Sequence, residues 1–247
     1  MEALDSYLKA LKLPGMLSSY KKSAAESLKA GDSYETFLCH LAEREVLGRS
    51  SRQVQARIKK ARFSSLKTLD SFDFNPLPNL DKKLVLALLH GDYIQKGENL
   101  LAMGNSGTGK THLAVAFGMA ACQNGRSVLF YTAANLVHLL TEAHDGKRLL
   151  SLQKKLQSCD LLIIDELGYV PFSKTGAELL FEIFSQRYEQ GSLIITSNLP
   201  FEEWSQVFGC SRLTGALLDR ITHHAHILEM NGPSYRLTDR QAKLNKK

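Results

Sequence analysis

The chain has 247 residues, 44% of them hydrophobic, and a formal net charge of +6, which allows one large domain, or a large and a small one, with a real core. Neither a signal peptide nor a membrane partner is expected, because the first residues include Glu2 and Asp5 and no apolar run approaches about 18 residues. Four scattered cysteines without metal-ligand spacing indicate a reduced, cytoplasmic compartment.

Residues 1–65 are predicted to form a small, all-helical, basic N-terminal domain. Helical spacing of Leu, Tyr and Ala covers 1–11 and 14–30, and Ser33 is a good N-cap for a helix that begins near Tyr34. Residues 66–78 contain two prolines and lose this periodicity, which is typical of a linker.

A basic helix is predicted near the end of this domain. Between Arg44 and Lys67 there are eight basic residues and one acid, Glu45. On a helix most of the basic side chains share one face, and the opposite face, available for packing, carries Val46, Leu47, Val54, Ile58 and Ala61. Ordinary solvated faces interleave acids with bases, so the pattern favours DNA binding over simple solvation. The predicted DNA contacts are Arg49, Arg52, Lys59 and Lys60.

From residue 79 onward, helical stretches alternate with short apolar strands. The strands are predicted at 99–103, 127–131, 160–165, 192–196 and 225–229. Strands separated by helices predict an α/β fold with a central parallel sheet flanked by helices.

The most specific motif is Gly-Asn-Ser-Gly-Thr-Gly-Lys-Thr at 104–111, between the first strand and a helix. This is the complete phosphate-binding P-loop pattern in its required context, which disfavours a chance glycine-rich turn. Its glycines let backbone N–H groups face phosphate oxygens, Lys110 reaches the β- and γ-phosphates, and Thr111 offers a hydroxyl to Mg²⁺. The predicted ATP-binding residues of the loop are Gly104, Asn105, Ser106, Gly107, Thr108, Gly109, Lys110 and Thr111.

Two later strands complete the predicted site. The third strand ends in Asp165 and Glu166, where Asp165 would hold Mg²⁺ and Glu166 would orient and deprotonate the attacking water. Asn198 follows the fourth strand and is expected to bond the γ-phosphate or that water, a role compatible with one in a turn or N-cap. These residues predict a Mg²⁺-ATP site.

The P-loop, Ile-Asp-Glu at 164–166 and Thr-Ser-Asn at 196–198 together resemble the AAA+ ATPases of the DnaA and DnaC branch. Residues 165–172, 177–181, 187–189 and 196–201, with 68–74 before them, resemble the IstB-like helper ATPases of bacterial insertion sequences. The resemblance covers nearly the whole chain and implies an AAA+ ATPase domain over 79–247. It also implies a homo-oligomer with ATP sites between subunits, assembly on double-stranded DNA, and a transposase partner encoded by the same element.

Further roles follow from the same resemblance. Arg220 is expected to be an arginine finger, with Arg212 as runner-up and a surface ion pair as the alternative. Arg236 resembles a second sensor, and because only eleven residues follow it, no full C-terminal lid is expected. A helical stretch between the second and third strands is expected to line a nucleic-acid path, or to be a solvated face. Its basic residues are Lys147, Arg148, Lys154 and Lys155.

Two alternatives to a transposition ATPase remain open. A replicative helicase loader of the DnaC kind would share the fold and most motifs, although Leu-Gly-Tyr-Val-Pro at 167–171 favours transposition. A DNA-binding scaffold that uses ATP only as a structural ligand would not need Glu166. His223-His224-Ala225-His226 is not expected to bind a metal, because no partner cysteine or cluster of acids accompanies it.

Overall fold

The structure of the chain is a computed structural model that describes residues 2–235. The chain forms two compact units, Met1–Ala56 and Arg57–Lys247. Within the described range, no helix is both long enough and apolar enough to cross a bilayer.

The first unit is helical, as predicted. Its helices are α1 (Glu2–Ala10), α2 (Pro14–Ala30) and α3 (Tyr34–Ala61), the last of which continues into the second unit. The Ser33 hydroxyl accepts the N–H of Thr36 at 3.2 Å, which confirms the predicted cap. Among residues 3–56, Leu8 and Leu41 are the only buried hydrophobic side chains, so the apolar core of this unit is small.

One expectation for α3 is wrong. Val46 and Leu47, assigned to its packing face, are 66% and 62% exposed, whereas Ala61 at its end is fully buried. Helical periodicity predicts which face of the helix a side chain lies on. Burial also requires that another element packs against that face at the same height along the helix.

The second unit is a parallel sheet covered by helices on both faces. Its strands are β1 (Asn99–Met103), β2 (Val128–Thr132), β3 (Leu161–Leu167), β4 (Ser192–Ser197) and β5 (Ala225–Glu229). Its helices are α4 (Lys82–Leu88), α5 (Asp92–Gln95), α6 (Lys110–Gln123), α7 (Ala133–Asp145), α8 (Leu149–Gln157), α9 (Lys174–Arg187), α10 (Trp204–Phe208) and α11 (Ser211–Thr222).

The strand order is β2-β3-β4-β1-β5, and every pairing is parallel. The predicted strands and α/β class are confirmed. The apolar run of β3 is buried on both faces, which is why its sequence does not alternate. β1 lies beside β4, and β4 lies beside β3. The P-loop after β1 therefore lies next to the polar carboxyl ends of β3 and β4.

Apolar side chains fill a layer on each side of the sheet. One layer packs α7, α9 and α11 against the sheet, with Trp204 fully buried in it as a packing residue. The other packs α4 and α6. Because helices cover both faces of the sheet, the ends of its strands are held in place. A site at these ends therefore lies on rigid elements.

Candidate active site

The P-loop joins β1 to α6 and curls at its glycines. Gly109 has φ +95° and directly precedes α6, where the N-terminal N–H groups are available to an anion. Gly104 has φ +145°, and a Cβ there would collide with the Met230 carbonyl. Only glycine fits this backbone at residue 104, which confirms the conformational reason for the motif.

Lys110 points back into the loop that precedes it. Its side chain is 7% exposed, and its Nζ donates to the carbonyl oxygens of Gly104 and Asn105, each at 2.6 Å. A buried ammonium requires oxygen partners, and phosphate oxygens can supply them in place of the two carbonyls. The two carbonyl contacts hold the ammonium group against the start of the P-loop.

Asp165 is the centre of a hydrogen-bonded cluster at the sheet edge. Its side chain is 3% exposed, and its Oδ1 accepts the Thr111 hydroxyl at 3.0 Å and the Thr196 hydroxyl at 2.6 Å. Asp165 and Thr111, the two predicted Mg²⁺ ligands, are thus adjacent. Thr196 holds the carboxylate from β4, so its orientation is set by two neighbouring elements.

Glu166 occupies an unusual backbone conformation beside Asp165. Its φ is +61°, the pairing of β3 with β4 shifts register between Ile164 and Leu167, and its N–H donates to Thr196 Oγ1 at 2.9 Å. A left-handed glutamate is strained, and such strain concentrates at functional sites. The bulge turns Glu166 out of the strand and leaves it exposed on the cavity wall.

One cavity brings together Lys110, Thr111, Glu166 and Thr196. The segment 66–78, expected to be a linker, supplies part of its wall through Lys67, Ser71, Phe72, Asp73, Pro76 and Leu77. Phe72 lies against Gly109, and His112 Nε2 is 2.8 Å from the Thr68 carbonyl oxygen. The contribution of this segment to the cavity wall could not be predicted from its composition. Prolines and lost periodicity indicate irregular backbone, but they do not show whether that backbone packs against another element.

Asn198 lies beside a different cavity, together with Gly104 and Asn105. Its Oδ1 is buried and has no hydrogen-bond partner among residues 2–235. The β4 residues that line the cavity of Lys110 and Glu166 are Thr196 and Ser197. Thr196 was not among the predicted site residues, although its position two residues before Asn198 in the Thr-Ser-Asn motif was a usable signal.

The two arginine-finger candidates, Arg220 and Arg212, both lie on α11. Arg220 is half-buried on α11, donates to the Ala216 carbonyl at 2.7 Å and lies 5.2 Å over the Phe181 ring. Arg212 is exposed in the first turn of α11. Neither lines the cavity of Lys110 in its own chain. Arg236 lies outside the described residues.

Two of the predicted DNA contacts already have protein partners. The buried Glu45 carboxylate lies 3.5 Å from Arg49 and 3.1 Å from Arg52, and it also accepts the N–H groups of Gly15 and Met16. Burial by itself would raise the pKa of Glu45, but these hydrogen bonds and arginine charges outweigh it and lower the pKa below its ordinary value. The single acid in the basic run therefore joins α3 to the start of α2.

The helical stretch expected between β2 and β3 consists of two helices, α7 and α8, joined by a turn. Lys147 and Arg148 lie in that turn, where Lys147 has φ +54°, whereas Lys154 and Lys155 lie in the last turn of α8. Their charges are therefore at opposite ends of α8 rather than on one continuous face.

A second cavity combines the two predicted basic clusters. It is lined by Arg57 and Lys60 from α3, Lys155 from α8, and the Ser127 and Ser158 segments. No ion pair to Arg57, Lys60 or Lys155 occurs among residues 2–235. Three cations around one cavity favour an anion there, since like charges repel.

The residues in and beside the first cavity fit a Mg²⁺-nucleotide. A side chain at Gly104, Gly107 or Gly109 would collide with neighbouring atoms. Lys110 has oxygen partners that phosphate oxygens can replace, and Thr111 and Asp165 offer the hard oxygen donors that Mg²⁺ prefers. Asp165 and Glu166 are the two acids of β3.

Known proteins resemble this chain over most of its length. Residues 6–243 match the family described as IstB-like ATP binding protein. The chain is 36% identical to the ATP-binding protein of insertion sequence IS21 of Pseudomonas aeruginosa, over 98% of this chain and 91% of that protein. It is 38% identical to the IS5376 ATP-binding protein of Geobacillus stearothermophilus, over 97% and 96%.

Solved structures share the fold at lower identity. A DnaC helicase loader aligns with a TM-score of 0.56 and 22% identity, over 68% of this chain and 98% of that one. A replication initiator DnaA bound to AMPPCP and single-stranded DNA aligns with a TM-score of 0.58 and 21% identity, over 75% and 56%. These similarities confirm the AAA+ P-loop fold.

Proposed function

The chain belongs to the family of IstB-like ATP binding proteins, and we propose that it is a Mg²⁺-dependent ATPase that assembles on double-stranded DNA and assists a transposase. Its relatives are ATP-binding proteins of insertion sequences, so association with transposition already follows from the family. Hydrolysis, assembly and help to the transposase are the proposed parts.

Hydrolysis is supported above all by the joint position of Asp165 and Glu166. Asp165 is buried and held by Thr111 and Thr196, whereas its neighbour Glu166 is turned outward by a left-handed backbone onto the cavity that Thr111 and Thr196 line. A protein that only binds ATP needs the first carboxylate but has no use for the second. The bulge separates a metal-binding acid from a water-activating one.

Each residue has a distinct task in this proposal. Lys110 and the P-loop N–H groups bind the phosphates, and Thr111 and Asp165 hold the metal. Bound Mg²⁺ neutralises charge that develops on the phosphates during hydrolysis. Glu166 orients a water and takes its proton, and Thr196 maintains the position of both acids.

Arg220 supports an ATPase whose activity depends on assembly. Because it does not line the cavity of Lys110 in its own chain, its proposed role is to approach the phosphate of a neighbouring subunit. A cation supplied by a neighbour makes hydrolysis depend on oligomer formation. The proposal therefore includes a homo-oligomer with ATP sites between its subunits.

DNA binding is supported by the cavity of Arg57, Lys60 and Lys155. Basic side chains that bind phosphates give affinity without sequence preference.

The four cysteines are free thiols, which is consistent with a reducing cytoplasm as the setting.

The helicase-loader alternative has support from the fold only, because the DnaC structure is 22% identical.

The test is assembly and transposase stimulation in one system. Purified protein, a duplex and a non-hydrolysable ATP analogue should give a large oligomer by mass photometry, and the transposase of the same element should be more active with ATP than without. A chain that remains monomeric on DNA, with transposase activity independent of it, would contradict the proposal.

A further inference from the structure

Three metal-ligating side chains from two separate turns meet at the amino ends of the strands. Glu189 lies in the turn between α9 and β4, and His223 and His224 lie in the turn between α11 and β5. One ligand atom from each, a carboxylate oxygen and two ring nitrogens, lies within 4.8 Å of the others. The acid that was missing beside the histidines in the sequence is supplied by the fold.

The two turns are fixed by the surrounding structure. The His224 carbonyl accepts the N–H of Asn99 at 2.8 Å, which ties its turn to the start of β1. The Tyr188 hydroxyl lies 2.8 Å from His223 Nδ1 and orients that ring. The His223 and His224 ring centroids are 4.0 Å apart. A hydrogen bond from a neighbouring group is the usual way in which a ligating imidazole is positioned.

We propose that Glu189, His223 and His224 form a binding site for a divalent transition-metal ion of the Zn²⁺ class. Two imidazoles and one carboxylate are ligands that Zn²⁺ accepts, and a fourth position remains for water. A hard ion such as Mg²⁺ prefers an all-oxygen set, so this site differs in selectivity from the one at Asp165. All three side chains are exposed, so an ion can reach them from solvent.

The third histidine of the motif does not belong to the site. His226 Nε2 lies 2.9 Å from a Glu98 carboxylate oxygen and is engaged in that contact. The motif therefore divides into a ligand pair, His223 and His224, and a structural residue in β5.

The site would connect the ends of the two helices that position Arg220. Arg220 lies on α11 three residues before His223, and its guanidinium lies over Phe181 of α9, the helix that ends just before Glu189. An ion bound to both turns restrains α11 relative to α9. Metal binding would thus stabilise the support of Arg220 without contacting the nucleotide.

The test is a Zn²⁺ titration of the tag-free, full-length, nucleotide-free chain by calorimetry, in excess Mg²⁺. Wild type should bind one more Zn²⁺ than the double variant His223→Ala with His224→Ala, and Zn²⁺ should raise its unfolding temperature more. Glu189→Gln should weaken this binding about tenfold or more, because loss of the only anionic ligand should cost at least as much as the roughly 10–100-fold that loss of a ligand's hydrogen-bond partner costs. His144→Ala, which removes an exposed histidine 3.2 Å from Asp145, is the matched control and should behave as wild type.

Co²⁺ distinguishes this site from the exposed thiols of Cys39 and Cys210. The absorption that disappears in the double variant should be that of nitrogen and oxygen coordination, without a thiolate charge-transfer band. ATP affinity equal to wild type would show that the variant is folded, and Glu189→Gln serves if it is not. Equal Zn²⁺ stoichiometry and affinity in wild type and Glu189→Gln, or in wild type and a folded double variant, would overturn the proposal.

Discussion

Thr196 Oγ1 donates a 2.6 Å hydrogen bond to Asp165 Oδ1, so a buried hydroxyl of β4 determines how the carboxylate of β3 is oriented. The same oxygen accepts the Glu166 N–H at 2.9 Å. One side chain therefore restrains both acids of the candidate active site. No part of the P-loop sequence indicates this dependence.

Thr196→Val should preserve the fold and reduce ATP hydrolysis. The substitution keeps the shape but removes the bond to Asp165, and hydrogen bonds to charged groups are worth about 1.5–3 kcal/mol. We expect turnover to fall about tenfold or more, since each 1.4 kcal/mol is about tenfold in rate. Steady-state phosphate release is the measurement.

The matched control is Thr214→Val, because buried Thr214 also donates to an acceptor within its unit, the Cys210 carbonyl, but lies on α11 away from the cavity. It should lose some stability and keep its hydrolysis rate. Equal turnover in Thr196→Val and wild type would show that Thr196 does not position the acids.

Glu166→Gln should bind ATP normally and lose most turnover, because an amide cannot accept the proton of the attacking water. General base catalysis contributes about 10²–10⁴-fold, so a loss in that range is expected. Lys110→Ala should instead weaken ATP binding itself. Nucleotide affinity and phosphate release are measured in parallel, with Glu178→Gln, an exposed change on α9, as control. Wild-type turnover in Glu166→Gln would exclude Glu166 as the base.

Arg220→Ala should bind ATP yet hydrolyse it poorly, and mixing it with Lys110→Ala should restore activity. In a mixed oligomer, one subunit supplies the binding site and its neighbour supplies the arginine. An arginine finger is worth about 10³–10⁵-fold in rate. Phosphate release is measured against the mixing ratio, and Arg212→Ala is tested likewise. A mixture no more active than the sum of its parts would rule out action across a boundary.

Lys60→Glu with Lys155→Glu should weaken DNA binding, because both side chains line one basic cavity. The loss should be similar for all duplexes, since phosphate contacts carry no sequence information. The slope of log affinity against log salt should fall by roughly one for each DNA phosphate that the variant no longer binds. Fluorescence anisotropy over a salt series measures both. Lys83→Glu with Lys96→Glu, also exposed, makes the same change in net charge and should have less effect. Identical slopes in the two double variants would exclude the cavity as a DNA contact.

Arg52 is unsuitable for such a charge reversal, because it pairs with buried Glu45. Glu45→Gln should lower the unfolding midpoint of the helical unit, whereas exposed Glu43→Gln should not. The pKa of Glu45 in the folded chain lies below its ordinary value of 4.5. The ionised Glu45 therefore contributes fully to the free energy of unfolding above pH 4.5, and this contribution is lost as the pH falls through the folded pKa. The difference in unfolding midpoint between wild type and Glu45→Gln should therefore become smaller at acidic pH. Denaturant titrations over pH measure this, and a constant difference would contradict it.

Much of the fold and part of the site could be predicted from contiguous residues. The P-loop is a local backbone motif, so its glycines and Lys110 are recognisable without any long-range contact. The five strands agree with their predicted positions to within two residues, because buried parallel strands are short apolar runs. Burial along α3 was less predictable, as exposed Val46 and Leu47 show, because it depends on what packs beside them.

A nucleotide-binding α/β domain with Lys110, Asp165 and Glu166 as its chemical groups follows from the amino-acid sequence alone, since each of these residues lies within or directly after a recognisable element. Which distant side chains join them depends on the folded chain. Thr196 reaches Asp165 because β4 lies beside β3, Phe72 reaches Gly109 because an irregular segment packs onto the loop, and Glu189 reaches His223 because two turns share one edge of the sheet. These contacts arise from strand order and helix packing, which local periodicity does not specify.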